Sequence, residues 1–138
     1  MGKASLLGLF FPHAAKTGTV TVRVAQSFLA DQSQPARGRW FWSYHIRIEN
    51  GGRQEVQLVS RRWIITDGRG ARHKVEGEGV VGEQPVIASG GSYDYVSGCP
   101  LDTPSGAMEG SYQMVAADGR TFDVAIPRFP LTAPAAAK

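Results

Sequence analysis

WFWSYHIRIENGG, residues 40–52, alternates without interruption: Trp40, Trp42, Tyr44, Ile46 and Ile48 fall on one face, while Phe41, Ser43, His45, Arg47 and Glu49 fall on the other. A period of two sustained over so many residues reads as a β-strand with one face on a core. Asn50-Gly51-Gly52 closes it with a turn. The flanking runs repeat the pattern. In TVTVRVAQSF, Val20, Val22 and Val24 alternate with Thr21 and Arg23. QEVQLVSRRWIITD follows the turn, but its alternation slips, because Val56 and Leu58 share one phase and Trp63 and Ile65 the other. That slip predicts a bulge or bend near Ser60 and Arg61, which would let one strand serve two neighbours.

Farther along, ARHKVEG is a short strand candidate and GSYDYVSG puts Tyr93 and Tyr95 on one face. AMEGSYQMVAA runs through Asp118-Gly119 into RTFDVAI, a hairpin signature with a DG turn. No ten-residue stretch carries a helical apolar period, and no block repeats. About seven short strands separated by turns predict an all-β fold, an antiparallel β-sandwich of immunoglobulin or fibronectin type III character. The expected organisation is an irregular lead-in over residues 1–17, the sandwich over 18–131 and a flexible Ala/Pro-rich tail over 132–138.

The chain of 138 residues, with 17 glycines and 8 prolines, suits one turn-rich domain. Its single cysteine, Cys99, allows no internal disulfide, so the cytoplasm is the expected compartment. SLLGLFF, residues 5–11, is short for a secretory core and is read as an N-terminal tail. No apolar run approaches the roughly 18 residues of a spanning helix, so membrane insertion is not expected. Fifteen basic against twelve acidic residues is too mild an excess to call for a nucleic-acid partner.

VEGEGVVGEQP, residues 75–85, sets Gly77, Gly79 and Gly82 in the GxGxxG order of dinucleotide-binding turns. Such a site needs a helix directly after the glycines, with its N-terminus facing the phosphates. Here Glu83, Gln84 and Pro85 follow, then only VIAS before Gly90-Gly91, and Glu78 and Glu83 bring negative charge. The expectation is an ordered loop whose glycines take positive φ. Against it, Arg69, Arg72, His73 and Lys74 stand just upstream and supply cations for an unconventional anion site. The three histidines are scattered, His45 is expected on a solvated strand face, and no spacing matches a zinc or calcium site. GxSxG and HExxH are absent. Arg61, Arg62 and Trp63, with Phe41, have the composition of a contact surface, although a buried Trp63 between solvated arginines is the plainer reading.

Three strings carry a resemblance: SRRWIITDGRG at 60–70, VEGEGVVGEQPVIASGGSYDYVSGCPLDTPSGAMEGSYQM at 75–114 and FDVAIPRFPL at 122–131. In order and spacing they resemble the ApaG domain, from about Val20 to Leu131. The resemblance implies a fibronectin type III-like sandwich that stands alone in bacteria. In eukaryotes it is appended to an F-box protein and to a polymerase-interacting protein, where it is regarded as a protein-interaction module. Bacterial members carry the label of cobalt and magnesium efflux, and are encoded near a diadenosine tetraphosphate hydrolase. The glycine triplet is a family feature that has suggested pyrophosphate binding. Arg62 departs from the family, standing where a histidine is expected.

The leading reading is therefore a non-enzymatic module that contacts an unidentified protein, with Arg61, Arg62, Trp63 and Phe41 as contact candidates and only an indirect link to cobalt or magnesium resistance. A soluble domain without a spanning segment does not itself move ions across a bilayer. A second reading is a sensor of phosphate, pyrophosphate or a dinucleoside polyphosphate, held by Gly77, Gly79 and Gly82 with Arg69, Arg72 or Lys74. A third is a weak binder of divalent metal. No catalytic residue, cofactor or metal ligand is assigned, and exposed sheet edges allow a homodimer.

Overall fold

The computed structural model describes residues 3–137. Among them, nine strands form two antiparallel sheets that face one another as a sandwich. The first sheet runs in the order β1 (His13–Thr17), β2 (Val20–Phe28), β3 (Trp40–Asn50), β7 (Ser92–Leu101). The second runs β5 (Arg72–Glu78), β4 (Val56–Asp67), β8 (Ser105–Ala116), β9 (Thr121–Thr132), and the two-residue β6 (Val86–Ile87) also pairs with β4. The predicted sandwich is thus present, with more strands than the turn signals indicated.

The alternation of β3 is realised residue for residue. Trp40, Trp42, Tyr44, Ile46 and Ile48 are buried, and each residue between them is half-buried. They meet Val20, Val22 and Val24 from β2, Leu58 and Trp63 from β4, Tyr112 and Met114 from β8, and Val124, Ile126, Phe129 and Leu131 from β9. Asn50 is buried in the following turn, where its side chain donates to the Gln54 and Ile87 carbonyls and accepts from the Gly52 amide. A buried amide side chain is tolerable only with such partners.

The phase slip in β4 is a register shift between Leu58 and Ser60. Before it, Val56 and Gln57 pair with β6; after it, Ser60 through Thr66 pair with β5. One strand does serve two neighbours on the same edge. The shift also carries Arg61 onto the inward face with Trp63, whereas without it that face would belong to Ser60 and Arg62.

The boundaries expected from sequence need correction. Residues 3–10 form a helix, α1 (Lys3–Phe10), and His13–Thr17 is the edge strand of the first sheet rather than an irregular lead-in. HAAKT shows no apolar alternation because its inward positions, His13, Ala15 and Thr17, are only half-buried and need no large apolar side chain. The tail is also docked: β9 extends to Thr132, Ala133 is buried, and Trp40 Nε1 donates to the Ala137 carbonyl at 2.6 Å. Near α1, Leu9 and Phe10 are exposed, while Phe11 is buried with its ring edge-on to His45.

The two sides of the sandwich differ. Along one, β9 lies beside β1 and β2, with Ala125 N donating to Thr17 Oγ1 and Gln26 Nε2 to the Pro130 carbonyl. Along the other stand the edge strands β5 and β7, and a cleft opens between the sheets.

Candidate functional site

The cleft has a volume of about 1220 Å³ and is lined by β3, β4, β5 and β7 and by the loop before β3. Its floor is aromatic: Tyr44 and Trp63 meet edge-to-face at 5.3 Å between ring centroids, and Phe129 stands behind both. Ile65, Val75 and Met108 add apolar wall. Clefts with an apolar floor and a few directed polar groups are the usual form of a binding site.

The polar groups are placed by the β4 bulge and the strand pairing it sets. Arg61 pairs in register with Gly77 across β4 and β5. Its Nη1 donates to the carbonyls of Glu78 at 3.0 Å and Gly79 at 2.9 Å. At the far end of the cleft, Asp67 accepts from the amides of Arg69 and Ala71 and lies 3.7 Å from His73. Burial acts to raise the Asp67 pKa, but the two amide bonds, Arg69 and His73 together hold it below its ordinary value. Asp102 is taken by Arg69 at 3.1 Å. Arg37 and Arg39, on the loop before β3, line the same end and make no ion pair with a described residue.

Buried hydroxyl and thiol groups complete the interior. Tyr95 and Tyr112 share a hydrogen bond between their hydroxyls, and burial raises both pKa values. Burial likewise raises Tyr44 and pushes the Cys99 thiol up to about 11. Among the described residues no three His, Cys, Asp or Glu side chains are grouped to hold a metal ion.

The glycine triplet does not form a phosphate cradle. Gly77 belongs to β5, and the loop beyond it is sewn onto the β4 bulge: Gly79 N and Gln84 Nε2 both donate to the Val59 carbonyl. Val80 and Glu83 exchange both backbone hydrogen bonds around Val81 and Gly82, whose φ values of 43° and 81° match a type I′ turn. The amides of Gly79, Val80 and Glu83 are therefore spent inside the protein. The cations proposed to assist them lie elsewhere. Arg72 and Glu78 occupy opposite ends of β5, about 20 Å apart. Arg69 is farther still and engaged by Asp102; Arg72 approaches Glu109 at 3.8 Å and Lys74 approaches Glu76 at 3.7 Å.

The contact candidates separate as well. Arg61 and Trp63 face the cleft, whereas Arg62 points to the opposite face of the sheet, 3.6 Å from Glu76. Phe41 belongs to the other sheet, at the cleft rim, and its ring lies over Gly98. His45 sits on the outer face of the first sheet, as its strand phase indicated, 2.7 Å from Asp94. Arg37, Arg39 and Tyr44 were not singled out from the sequence as site residues. For Tyr44 the signal was present in the β3 alternation, but only the position of β5 leaves it at a cleft floor.

A family model described as the ApaG domain matches residues 30–116, well over half of the chain. The chain belongs to the ApaG family. It is 52% identical over 122 residues to Protein ApaG of Bradyrhizobium sp. (strain ORS 278), covering 88% of this chain and 94% of that protein. With Protein ApaG of Caulobacter vibrioides it is 52% identical over 125 residues, covering 91% and 89%. Its fold is similar to the crystal structure of the putative ApaA protein from Bordetella pertussis, with a TM-score of 0.81 and 43% identity over 84% of this chain and 94% of that one. The C-terminal domain of wzt, at 13% identity and a TM-score of 0.53, shares the fold alone. The ApaG resemblance read from the sequence and its sandwich are thus shown. No helix among the described residues is long and apolar enough to cross a membrane.

Proposed function

We propose that this ApaG-family chain is a non-catalytic binding module that holds a segment of a partner protein in the cleft between β5 and β7. The observation that carries the reading is the aromatic-floored cleft beside the free edge of β5, every residue of which except Gly77 is exposed. A free sheet edge offers backbone donors and acceptors to an incoming strand, and an adjacent pocket supplies side-chain selectivity. The ionisable groups in the interior speak for binding rather than acid–base chemistry, since burial moves Tyr44 and Cys99 away from neutral pH. An association with cobalt or magnesium resistance would then run through the partner.

The anion-sensor reading has less support, because the Gly79, Val80 and Glu83 amides are internally bonded and the upstream cations stand apart from them. Among the described residues no group of ligands favours the metal reading.

Photo-crosslinking tests the module. A benzophenone amino acid at Val75, at the cleft mouth, is expected to trap one protein in cells, and the same group at Gln113, exposed on the outer face of β8, is not. The trapped protein, once purified, is expected to bind the wild-type domain and to lose at least tenfold in affinity for Val75→Trp, which fills the mouth. Equal trapping at both positions, or equal affinity for both proteins, rejects the cleft as the functional surface.

A further inference from the structure

A guanidinium is held in the cleft wall with three of its five N–H donors unspent. Arg61 is half-buried, its Nη1 bound to the Glu78 and Gly79 carbonyls. Nε and Nη2 make no hydrogen bond to a described residue, and no fully buried side-chain nitrogen or oxygen among the described residues lacks a partner. These two nitrogens therefore keep access to solvent on a side chain that lines the cleft. The guanidinium fits there because residue 77 has no side chain: a Cβ on Gly77 would stand 2.9 Å from Cζ, Nη1 and Nη2 of Arg61. The first glycine of the triplet thus makes room for an arginine, and the backbone around the second holds it.

We propose that Arg61 is the anion-recognising residue of the cleft, and that the occupant is an extended acidic segment that places a carboxylate on Nε and Nη2 and an apolar side chain on Tyr44 and Trp63. This deepens the binding-module reading and rests on it. Neutral carbonyls orient the guanidinium without neutralising it, so its charge is left for a ligand. The planar fork of arginine matches a carboxylate bidentately, and in a partly desolvated cleft that pairing is stronger than at an open surface. Charge complementarity selects the occupant. Among the charged side chains that line the cleft, Arg37, Arg39 and Arg61 outnumber Asp67 and Asp102, and Asp102 is already paired with Arg69, so the cleft attracts negative charge.

Fluorescence anisotropy with defined probes tests the assignment: a fluorescein-labelled nonapeptide with a central leucine flanked by glutamates, the same peptide with glutamines, and unlabelled inorganic pyrophosphate as competitor. The glutamate peptide is expected to bind at least tenfold more tightly than the glutamine peptide. Arg61→Leu is expected to abolish that preference, Arg61→Lys to keep only part of it, and Arg62→Leu to keep it entirely. The readout is the ratio between the two peptides, which a general loosening of the fold lowers on both sides and leaves unchanged. Equal binding of both peptides, absence of binding by either, a preference that survives Arg61→Leu, or displacement by micromolar pyrophosphate each overturns the carboxylate assignment. If the Val75 crosslink persists in any of those cases, the cleft module stands and only the chemistry of its occupant falls.

Discussion

The guanidinium of Arg61 occupies the space that a side chain at residue 77 would fill, with Cζ 2.9 Å from the position of a Cβ on Gly77. This contact joins the glycine triplet to the cleft. Gly77→Ala is expected to push Arg61 off the Glu78 and Gly79 carbonyls. Because the displaced atoms end a flexible side chain that can find other partners, the stability cost should stay within about 1–3 kcal/mol, the net range for hydrogen bonds of a charged group. The checks are urea denaturation together with the loss of preference for the glutamate peptide.

Gly79 and Gly82 should behave differently from Gly77. At φ 63°, a Cβ on Gly79 would run into the Glu83 carbonyl oxygen, a backbone atom that cannot move aside. Gly82, at φ 81°, faces open space. Gly82→Ala is expected to cost about 1–2 kcal/mol for its left-handed backbone alone, and Gly79→Ala clearly more. Val81 is a β-branched residue at φ 43° in the first central position of the same turn, which type I′ geometry prefers to fill with asparagine. Val81→Asn should raise stability by about 0.5–1 kcal/mol in the same assay.

The Tyr95–Tyr112 bond lies within the core, and removing one hydroxyl leaves the other without its partner. Tyr112→Phe is expected to cost about 1–3 kcal/mol. Tyr95→Phe with Tyr112→Phe should cost less than the sum of the single changes, since neither hydroxyl is then left behind. A double-mutant cycle by chemical denaturation reads the difference. Strictly additive costs would mean that the hydroxyls are not coupled.

On the outer face of the first sheet, Glu49 accepts from Arg23 at 2.9 Å and Arg47 at 3.0 Å. Burial works to raise its pKa, but the two arginines outweigh it and leave the value lowered from 4.5. A carboxylate with a depressed folded-state pKa stabilises fully above its unfolded value and loses that contribution as the pH falls through the folded one. Glu49→Gln should therefore be less stable than wild type at pH 7, by up to about 1 kcal/mol for such a half-buried surface network. The gap should close as the pH is lowered below 4.5. Thermal melts across this range test it, and a gap that widens in acid would contradict the sign.

Trp40 ties the C-terminal turn to the cleft end through its bond to the Ala137 carbonyl. Truncation after Ala133 should expose the Trp40 indole and lower stability by about 1–2 kcal/mol, as the lost bond and apolar contact require. Red-shifted tryptophan fluorescence is the accompanying signature.

The sequence made the sandwich readable because β3 buries one face completely. The β3 alternation and the slip between Leu58 and Trp63 identified the core and the bulge from local pattern alone. What escaped was set by packing between distant segments. HAAKT is an edge strand with small and polar residues, and the tail is held by a tryptophan on β3. The triplet was legible only in part for a related reason: the expected positive φ holds at Gly79 and Gly82 but not at Gly77, and GxGxxG states where backbone comes close, not what it approaches. That Arg61 lies over Gly77 depends on a cross-strand register fixed by the bulge and the turn after Asp67. The phase slip placed Arg61 with Trp63, but only the β4–β5 pairing supplied the glycine opposite.

The most direct measurement is an amide and arginine side-chain NMR map of the full chain titrated in parallel with the glutamate nonapeptide and with inorganic pyrophosphate. The account predicts that the peptide moves the Arg61 Nε–H signal and the amides of residues 73–78 and 96–101, and that millimolar pyrophosphate leaves the amides of 79–84 in place. Shifts confined to residues 79–84 with pyrophosphate, and an unmoved Arg61 with the peptide, would contradict it.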